Sequence, residues 1–330
     1  MPMNKPSFGY QILYGYVKWM YRKCYCRHYE VHGLENVPKE GATLFVTNHQ
    51  NNLPDALSIL FASSRKPVFV ARADFFNHPT ANKLLRFLRI LPMYRADHGK
   101  TAIKENLPAT MKELHNHLRD GGACVIMGEG SSAPERSIRP LKKSWARLAN
   151  SLKEDGIPIC VIPAVMEYND WQDWGPDVSV TFGEPLDINY TSDLKEGQQL
   201  RLMKDAAEER LSKMVRNDGE IEAWSRKVGG KYSGSRWTWK ALSLALLPLA
   251  YLYLAPILLL AKSKVKNHSR LDFKSTLELG FIGLGTPLWV IFMCVLVALI
   301  WTWKYGLLAL IASPVFLWAA CRSYIAKTRE

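Results

Sequence analysis

The last quarter of the chain limits its fold more than any other stretch. Ala241 to Ala261 runs 21 residues without a charge, Leu279 to Trp303 runs 25, and Tyr305 to Cys321 runs 17. A helix needs about 20 apolar residues to cross the hydrocarbon core, so two or three of these segments are expected to enter a bilayer. Three buried helices of a soluble bundle fit less well, because uncharged runs of this length are membrane candidates by length alone. Trp237, Trp239, Trp301 and Trp303 near the run ends fit interfacial anchors. Lys and Arg flank the first run on both sides, and Pro248 and Pro256 lie inside it. The positive-inside rule then predicts a bent or re-entrant segment there, followed by a hairpin with its Trp303-Lys304-Tyr305-Gly306 turn outside and its basic tail inside.

The rest of the 330 residues has room for one sizeable domain. The expected organisation is an interfacial amphipathic helix over residues 1–30, a folded domain over 31–228, a Gly- and Ser-rich linker over 229–240 and a membrane domain over 241–330. The first of these rests on FGYQILYGYVKWMYRKCYCR at residues 8 to 27, aromatic and then basic, too polar to span and lacking the clean apolar core of a signal peptide. An ordinary helix packed on the domain would show the same amphipathicity. A formal charge of +13 points to an anionic partner. With membrane segments present and no recognised nucleic-acid module, membrane lipids explain that charge and no nucleic acid is expected. The six cysteines have no zinc-ligand spacing beyond one Cys-x-Cys, which fits a reduced, cytosol-facing domain.

Between about Val31 and Asn217, short β-rich runs alternate with helix-like stretches. Strands are predicted at Ala42–Val46, Val68–Ala71, Ile90–Tyr94, Ala123–Met127, Ile159–Val165 and Val178–Phe182. Helices are predicted at Pro54–Ala62, Pro79–Leu88, Pro108–Arg119, Leu141–Leu152 and Gln198–Val215, three of them opening on proline. Ala123-Cys124-Val125-Ile126-Met127 is apolar throughout rather than alternating, the mark of a strand covered on both faces. The fold class read from this pattern is α/β, a sandwich with a largely covered sheet.

Within that frame the stretch TNHQNNLPD, Thr47 to Asp55, carries chemistry. It forms the loop at the C-terminal edge of a strand, where α/β folds place ligand sites. Asp55 falls in the first turn of a helix, where the dipole favours negative charge. From there its carboxylate can reach one imidazole nitrogen of His49 and stabilise the cation formed when the other nitrogen takes a proton. No Gly-x-Ser-x-Gly elbow and no nearby Cys supplies a nucleophile. The simplest solution is that the proton comes from a substrate hydroxyl, which then attacks an activated acyl group directly. Taken alone, His-x5-Asp is a weak signal, and a histidine that merely ties a loop together would look the same. His78, His115 and His117 lack metal-ligand spacing and are expected to be solvated, so no metal is expected.

Three further stretches follow in order: Ala71 to Pro79 continuing to Leu91-Pro92-Met93-Tyr94-Arg95; Met127-Gly128-Glu129-Gly130-Ser131-Ser132 continuing through Arg136 to Lys143; and Val161-Ile162-Pro163-Ala164-Val165. With TNHQNNLPD they resemble the four blocks of the glycerolipid acyltransferase superfamily, which includes glycerol-3-phosphate and 1-acylglycerol-3-phosphate acyltransferases. The resemblance runs from about Glu35 to Pro185. It implies a glycerol-phosphate acyltransferase-like sandwich with a mixed sheet, and an acyltransferase domain over 31–228.

The resemblance also implies site roles. His49 and Asp55 would be catalytic, Arg95, Gly130 and Ser131 would bind the acceptor's phosphate, and Glu129 would orient the loop or an acceptor hydroxyl. Two departures stand out: the first block has one residue more than the family's usual His-x4-Asp, and the third reads Met-Gly-Glu-Gly-Ser-Ser where Phe-Pro-Glu-Gly-Thr-Arg is usual. Both look more like the branch that includes fungal-type glycerol-3-phosphate acyltransferases. Arg136 and Arg139 are the candidates to replace the missing arginine. The implied partners are an acyl donor (acyl-CoA or acyl carrier protein, a co-substrate with no cofactor) and glycerol phosphate or lysophosphatidic acid. The implied location is a membrane, with the catalytic domain facing the cytosol. Another lipid acceptor, such as a lysophospholipid or amino-acid lipid, and a non-catalytic lipid-binding role are the alternatives.

Overall fold

The structure is a computed structural model that describes residues 6–188, 194–231, 248, 251–252, 254–264 and 273–328. Seven strands form one sheet: β1 (His28–His32), β2 (Ala42–Thr47), β3 (Val68–Arg72), β4 (Ile90–Met93), β5 (Ala123–Met127), β6 (Ile159–Tyr168) and β7 (Asp177–Phe182). Their spatial order is β1-β7-β6-β2-β5-β3-β4. The five strands from β6 to β4 run parallel; β7 is antiparallel to β6, and β1 runs parallel to β7. The sheet is therefore mixed, with β2 at its centre.

Every residue of β2 is buried, because both faces of the sheet are covered. Phe45 packs with Val125, Ile162 and Val180 on one face, while Leu44 and Val46 pack with Cys124, Ile126 and Val161 on the other. Burial of alternate residues on opposite sides explains why these strands read as unbroken apolar runs. On the second face lie α4 (Lys100–Arg119), α5 (Ser144–Glu154) and α6 (Glu196–Met214), through Leu114, Leu118, Trp145, Leu148, Leu200 and Leu211. On the first lie α2 (Asn52–Ala62), the N-terminal segment and residues of the C-terminal helices, among them Leu279, Ile282, Leu317 and Ile325.

The N-terminal segment differs from the expectation of a purely interfacial helix. Its first part, α1 (Phe8–Trp19), leaves Phe8 and Ile12 exposed, but a π-turn over Met20–Tyr25 then sinks Met20, Tyr21, Cys24 and Tyr25 into the core. Tyr21 Oη donates to the Pro54 carbonyl at 3.1 Å, and Trp174 Nε1 donates to the Cys24 carbonyl at 2.8 Å. Those aromatic rings fill the face of the sheet beneath α2. A boundary at residue 30 would cut β1, an edge strand hidden in the sequence by its alternation of His28, Glu30 and His32, whose side chains pair with one another at 2.9 Å.

Helix α4 begins eight residues before the predicted Pro108, which lies inside it on the exposed side. There the proline ring points to solvent, where water can bond the carbonyl it leaves without a helical partner. His117, expected to be solvated, is buried beside Gly122, and His115 Nε2 pairs with Asp155 at 3.0 Å. α3 (Pro79–Phe87) is capped by His78, whose Nδ1 accepts from the Thr80 amide at 3.3 Å. Past α6, α7 (Asp218–Lys231) extends into the predicted linker, the rest of which lies outside the described residues.

Residues 254–264, which include Pro256, form helix α8 at the end of the first uncharged run, and most of the rest of that run lies outside the described residues. Two long helices follow, α9 (Lys274–Ile300) and α10 (Trp303–Thr328). Both are long and apolar enough to cross a membrane. α9 divides its surface: Leu279, Ile282, Gly283, Thr286 and Val290 face protein, while Leu284, Leu288, Ile291, Val295 and Leu299 form an outward apolar stripe, with Leu288 71% and Leu299 79% exposed. A face of that kind is the signature of a lipid or partner contact rather than of a water-facing surface.

Candidate active site

His49 stands two residues beyond the end of β2, on the rim where the parallel strands end. Asn48 fixes the start of the loop by bonding twice across to β6, its Nδ2 to the Met166 carbonyl and its Oδ1 from the Met166 amide, both at 2.9 Å. Asn51 then opens α2. Asp55, wholly buried, turns its carboxylate back so that Oδ2 accepts from the Asn51 amide at 2.8 Å and meets His49 Nδ1 at 2.8 Å. A carboxylate can only accept there, so the proton resides on Nδ1 and Nε2 carries the lone pair. The pair expected from the sequence is formed. The extra residue of His-x5-Asp is taken up in the loop, where Gln50 Oε1 accepts from Trp171 Nε1 at 3.2 Å.

The neighbouring strand β5 delivers the second block to the same rim. Gly128 has no room for a side chain, since a Cβ would meet Leu141 Cδ2 at 2.8 Å, and Gly130 turns the chain at φ +77. Between them Glu129 is buried. Its Oε2 accepts from the His49 amide at 3.2 Å and its Oε1 from the Arg139 amide at 3.2 Å, while the Arg139 guanidinium closes on Oε2. Burial pushes the Glu129 carboxyl up, and Arg139 pulls it back. Glu129 thus acts on the backbone of the histidine loop.

The three arginines separate. Arg139 spans the loop: besides Glu129, it donates to the His49 carbonyl and Ser131 Oγ, each at 3.0 Å, and to the Ser131 carbonyl. Arg136 bonds to other partners. It pairs with Asp218, donates to the Tyr168 carbonyl at 2.8 Å and lies 4.5 Å over the Trp171 ring. Both therefore have carboxylate partners in the structure. Arg95, beyond the end of β4, reaches the Gly130 carbonyl with one Nη, and among the described residues no carboxylate lies within ion-pair distance of it. Burial lowers its basicity, the largest effect, with Arg72 beside it adding to that. Lys142, not among the residues that the sequence points to, lays its side chain against Gly130, the Cγ 3.1 Å from where a Cβ would stand. The signal for it was the Pro-Leu-Lys that follows the third block.

The rim thus gathers His49, Asp55, Arg95, Glu129, Gly130, Ser131 and Arg139, with Arg136 stacked on Trp171 beside the histidine loop. Among the described residues, no group of three or more His, Cys, Asp and Glu is placed to hold a metal.

Comparison with known proteins gives three findings. A family model described as Acyltransferase matches residues 28–167. No curated protein matches the chain. Among solved structures, the 1-acyl-sn-glycerophosphate (LPA) acyltransferase PlsC from Thermotoga maritima is similar, with 20% identity and a TM-score of 0.44 over 61% of this chain and 78% of that one. The matched segment runs from β1 to the end of β6 and contains the whole rim. Residues 28–167 are thus similar to an acyltransferase domain.

Proposed function

We propose that this protein moves a fatty acyl group from a thioester, acyl-CoA or acyl carrier protein, to the hydroxyl of glycerol 3-phosphate or 1-acylglycerol 3-phosphate, at a membrane. The observation that carries the mechanism is the buried Asp55 on His49 Nδ1 at 2.8 Å, together with the lack, among the described residues, of any serine or cysteine bonded to His49. Without a side-chain nucleophile, the base serves the substrate. Nε2 takes the proton as the acceptor oxygen attacks the thioester carbonyl carbon. The carbon–sulfur bond then breaks, and the thiolate leaves with the proton that Nε2 held. No acyl-enzyme forms.

Positive charge for the acceptor phosphate comes from Arg95, whose planar fork suits two phosphate oxygens, and from Lys142 beside the Gly130 turn. α9 and α10 cross the bilayer and hold the rim near its surface, with the catalytic domain in the cytosol. Support for this reading comes from the family match and the apolar outward stripe.

The test uses full-length protein purified in detergent, each acceptor in turn, both donor forms, and products read by mass spectrometry. His49→Ala and Asp55→Asn are expected to lose roughly 10²- to 10⁴-fold in rate, with His49→Ala melting close to wild type. A folded His49→Ala variant with full activity would end the proposal.

A further inference from the structure

The first turn of α9 touches the histidine loop directly. Ser275, fully buried, donates from Oγ to Asn51 Oδ1 at 2.7 Å, across 224 positions of sequence. Thr276 Oγ1 accepts from the Leu53 amide at 3.2 Å, and Lys274 Nζ pairs with Asp173 at 2.6 Å.

These contacts replace a cap that α2 does not make for itself. The first amides of a helix have no partner within it, and an asparagine at the N-cap ordinarily supplies one from its own side chain. Asn51 holds that position but makes no such bond. Its amide is turned outward instead, Nδ2 to the Trp171 carbonyl at 3.0 Å and Oδ1 to Ser275. Thr276, from the far end of the chain, takes the Leu53 amide. Meanwhile the Asn51 main-chain N–H holds the Asp55 oxygen that bonds His49. A continuous path therefore runs from Ser275 through Asn51 to Asp55 and the imidazole.

We infer that Ser275 and Thr276 are positioning residues for the His49–Asp55 pair, so that the base is aligned only while the first turn of α9 is seated on the loop. The inference rests on the role proposed for His49. It also gives α9 a task beyond anchoring: the helix that enters the membrane aligns the base.

The test is full-length protein in lipid nanodiscs carrying Ser275→Ala with Thr276→Val, beside the conservative pair Ser275→Thr with Thr276→Ser. A displacement of about 1 Å at a reacting group costs up to ~10²-fold, so the first pair should lower kcat by roughly 10- to 100-fold. KM for both substrates should stay within about twofold, because the substrate contacts are untouched. The conservative pair keeps both hydroxyls and should restore kcat. In protein labelled with ¹⁵N-histidine, the hydrogen-bonded Nδ1–H signal of His49 should weaken or vanish in the first pair and return in the second. Wild-type kcat and an unchanged His49 signal in the first pair would overturn the inference. So would a loss shared equally by kcat, both KM values and the melting temperature that the conservative pair fails to rescue. If the wild type itself transfers no acyl group, the proposed function fails, and the histidine signal alone decides the inference.

Discussion

Removing the Arg139 guanidinium should expose how the histidine loop is held. In the native structure Glu129 is 2% exposed at its side chain and Arg139 22%. Taking one partner from a buried ion pair costs about 3–5 kcal/mol, chiefly because the other charge is left without compensation. Glu129 would retain two acceptor bonds, from the His49 and residue-139 amides, so Arg139→Ala is placed at the low end, about 3 kcal/mol. Glu129→Gln removes the charge but leaves an amide oxygen able to accept, and should cost about 1–2 kcal/mol. The double variant should then be more stable than Arg139→Ala by about 1 kcal/mol or more, a coupling that distant sites would not show.

The pH dependence has a definite sign. Burial already raises the Glu129 carboxyl, and loss of Arg139 removes what pulls it back. A carboxyl raised in the folded state is destabilising above its folded value, and that penalty is relieved as pH falls toward the unfolded value. Arg139→Ala should therefore recover stability on acidification more than wild type does. Denaturation in a mild detergent, followed by tryptophan fluorescence at two pH values, measures both effects. A loss below about 1 kcal/mol in Arg139→Ala, or a double variant no more stable than it, would refute the account of Glu129 as a buried charge held by Arg139.

Two further outcomes are expected. Arg95→Lys replaces a planar fork with a point charge, so KM for a phosphate-bearing acceptor should rise about tenfold or more with the donor KM unchanged; steady-state kinetics with each substrate varied would check this, and an unchanged acceptor KM would remove Arg95 from the site. Burial lowers the His117 imidazole from its ordinary 6.5 to about 4, so the unfolded chain takes up that proton first. Stability should fall as pH drops through this window by up to about 3 kcal/mol, and the difference between wild type and His117→Gln, measured by denaturation from neutral pH downward, should be confined to it.

Much of the fold could be read from the sequence because the sheet is covered on both faces. Ala123–Met127 has the same bounds in the structure as in the reading, since an unbroken apolar run ends where burial ends. β1 escaped because an edge strand with one neighbour needs no apolar run: His28, Glu30 and His32 satisfy one another at the surface. The sequence pattern places the start of α4 at Pro108, eight residues late, although a proline on the exposed side of a helix removes a bond that water can replace. Within the site, His49 and Asp55 lie close in sequence and share one loop, so their meeting was legible. The fates of Arg136 and Arg139 were not, because they depend on Asp218, Trp171 and Glu129, partners that only the fold brings near.

The same distinction bears on how the chain is divided. The reading of an acyltransferase domain, a linker and then a membrane domain treats the C-terminal helices as an attachment that could be exchanged. The contacts argue against exchange. Tyr16 Oη donates to the Gly283 carbonyl at 2.7 Å, Arg322 Nη1 donates to the Arg27 carbonyl at 3.2 Å, and Ile325 packs against Gly175, where a Cβ would come within 2.6 Å of it. Leu279, Ile282, Leu317 and Ile325 share one core with Phe45 and Val180 of the sheet. Burying a side chain of that size contributes about 1.5–3 kcal/mol, so these four together rival the whole margin by which an ordinary domain stays folded, about 5–15 kcal/mol. Cutting before α9 would therefore uncover one face of the sheet as well as releasing an anchor, which is why point changes at Ser275 and Thr276, rather than truncation, isolate what the helix does for the base.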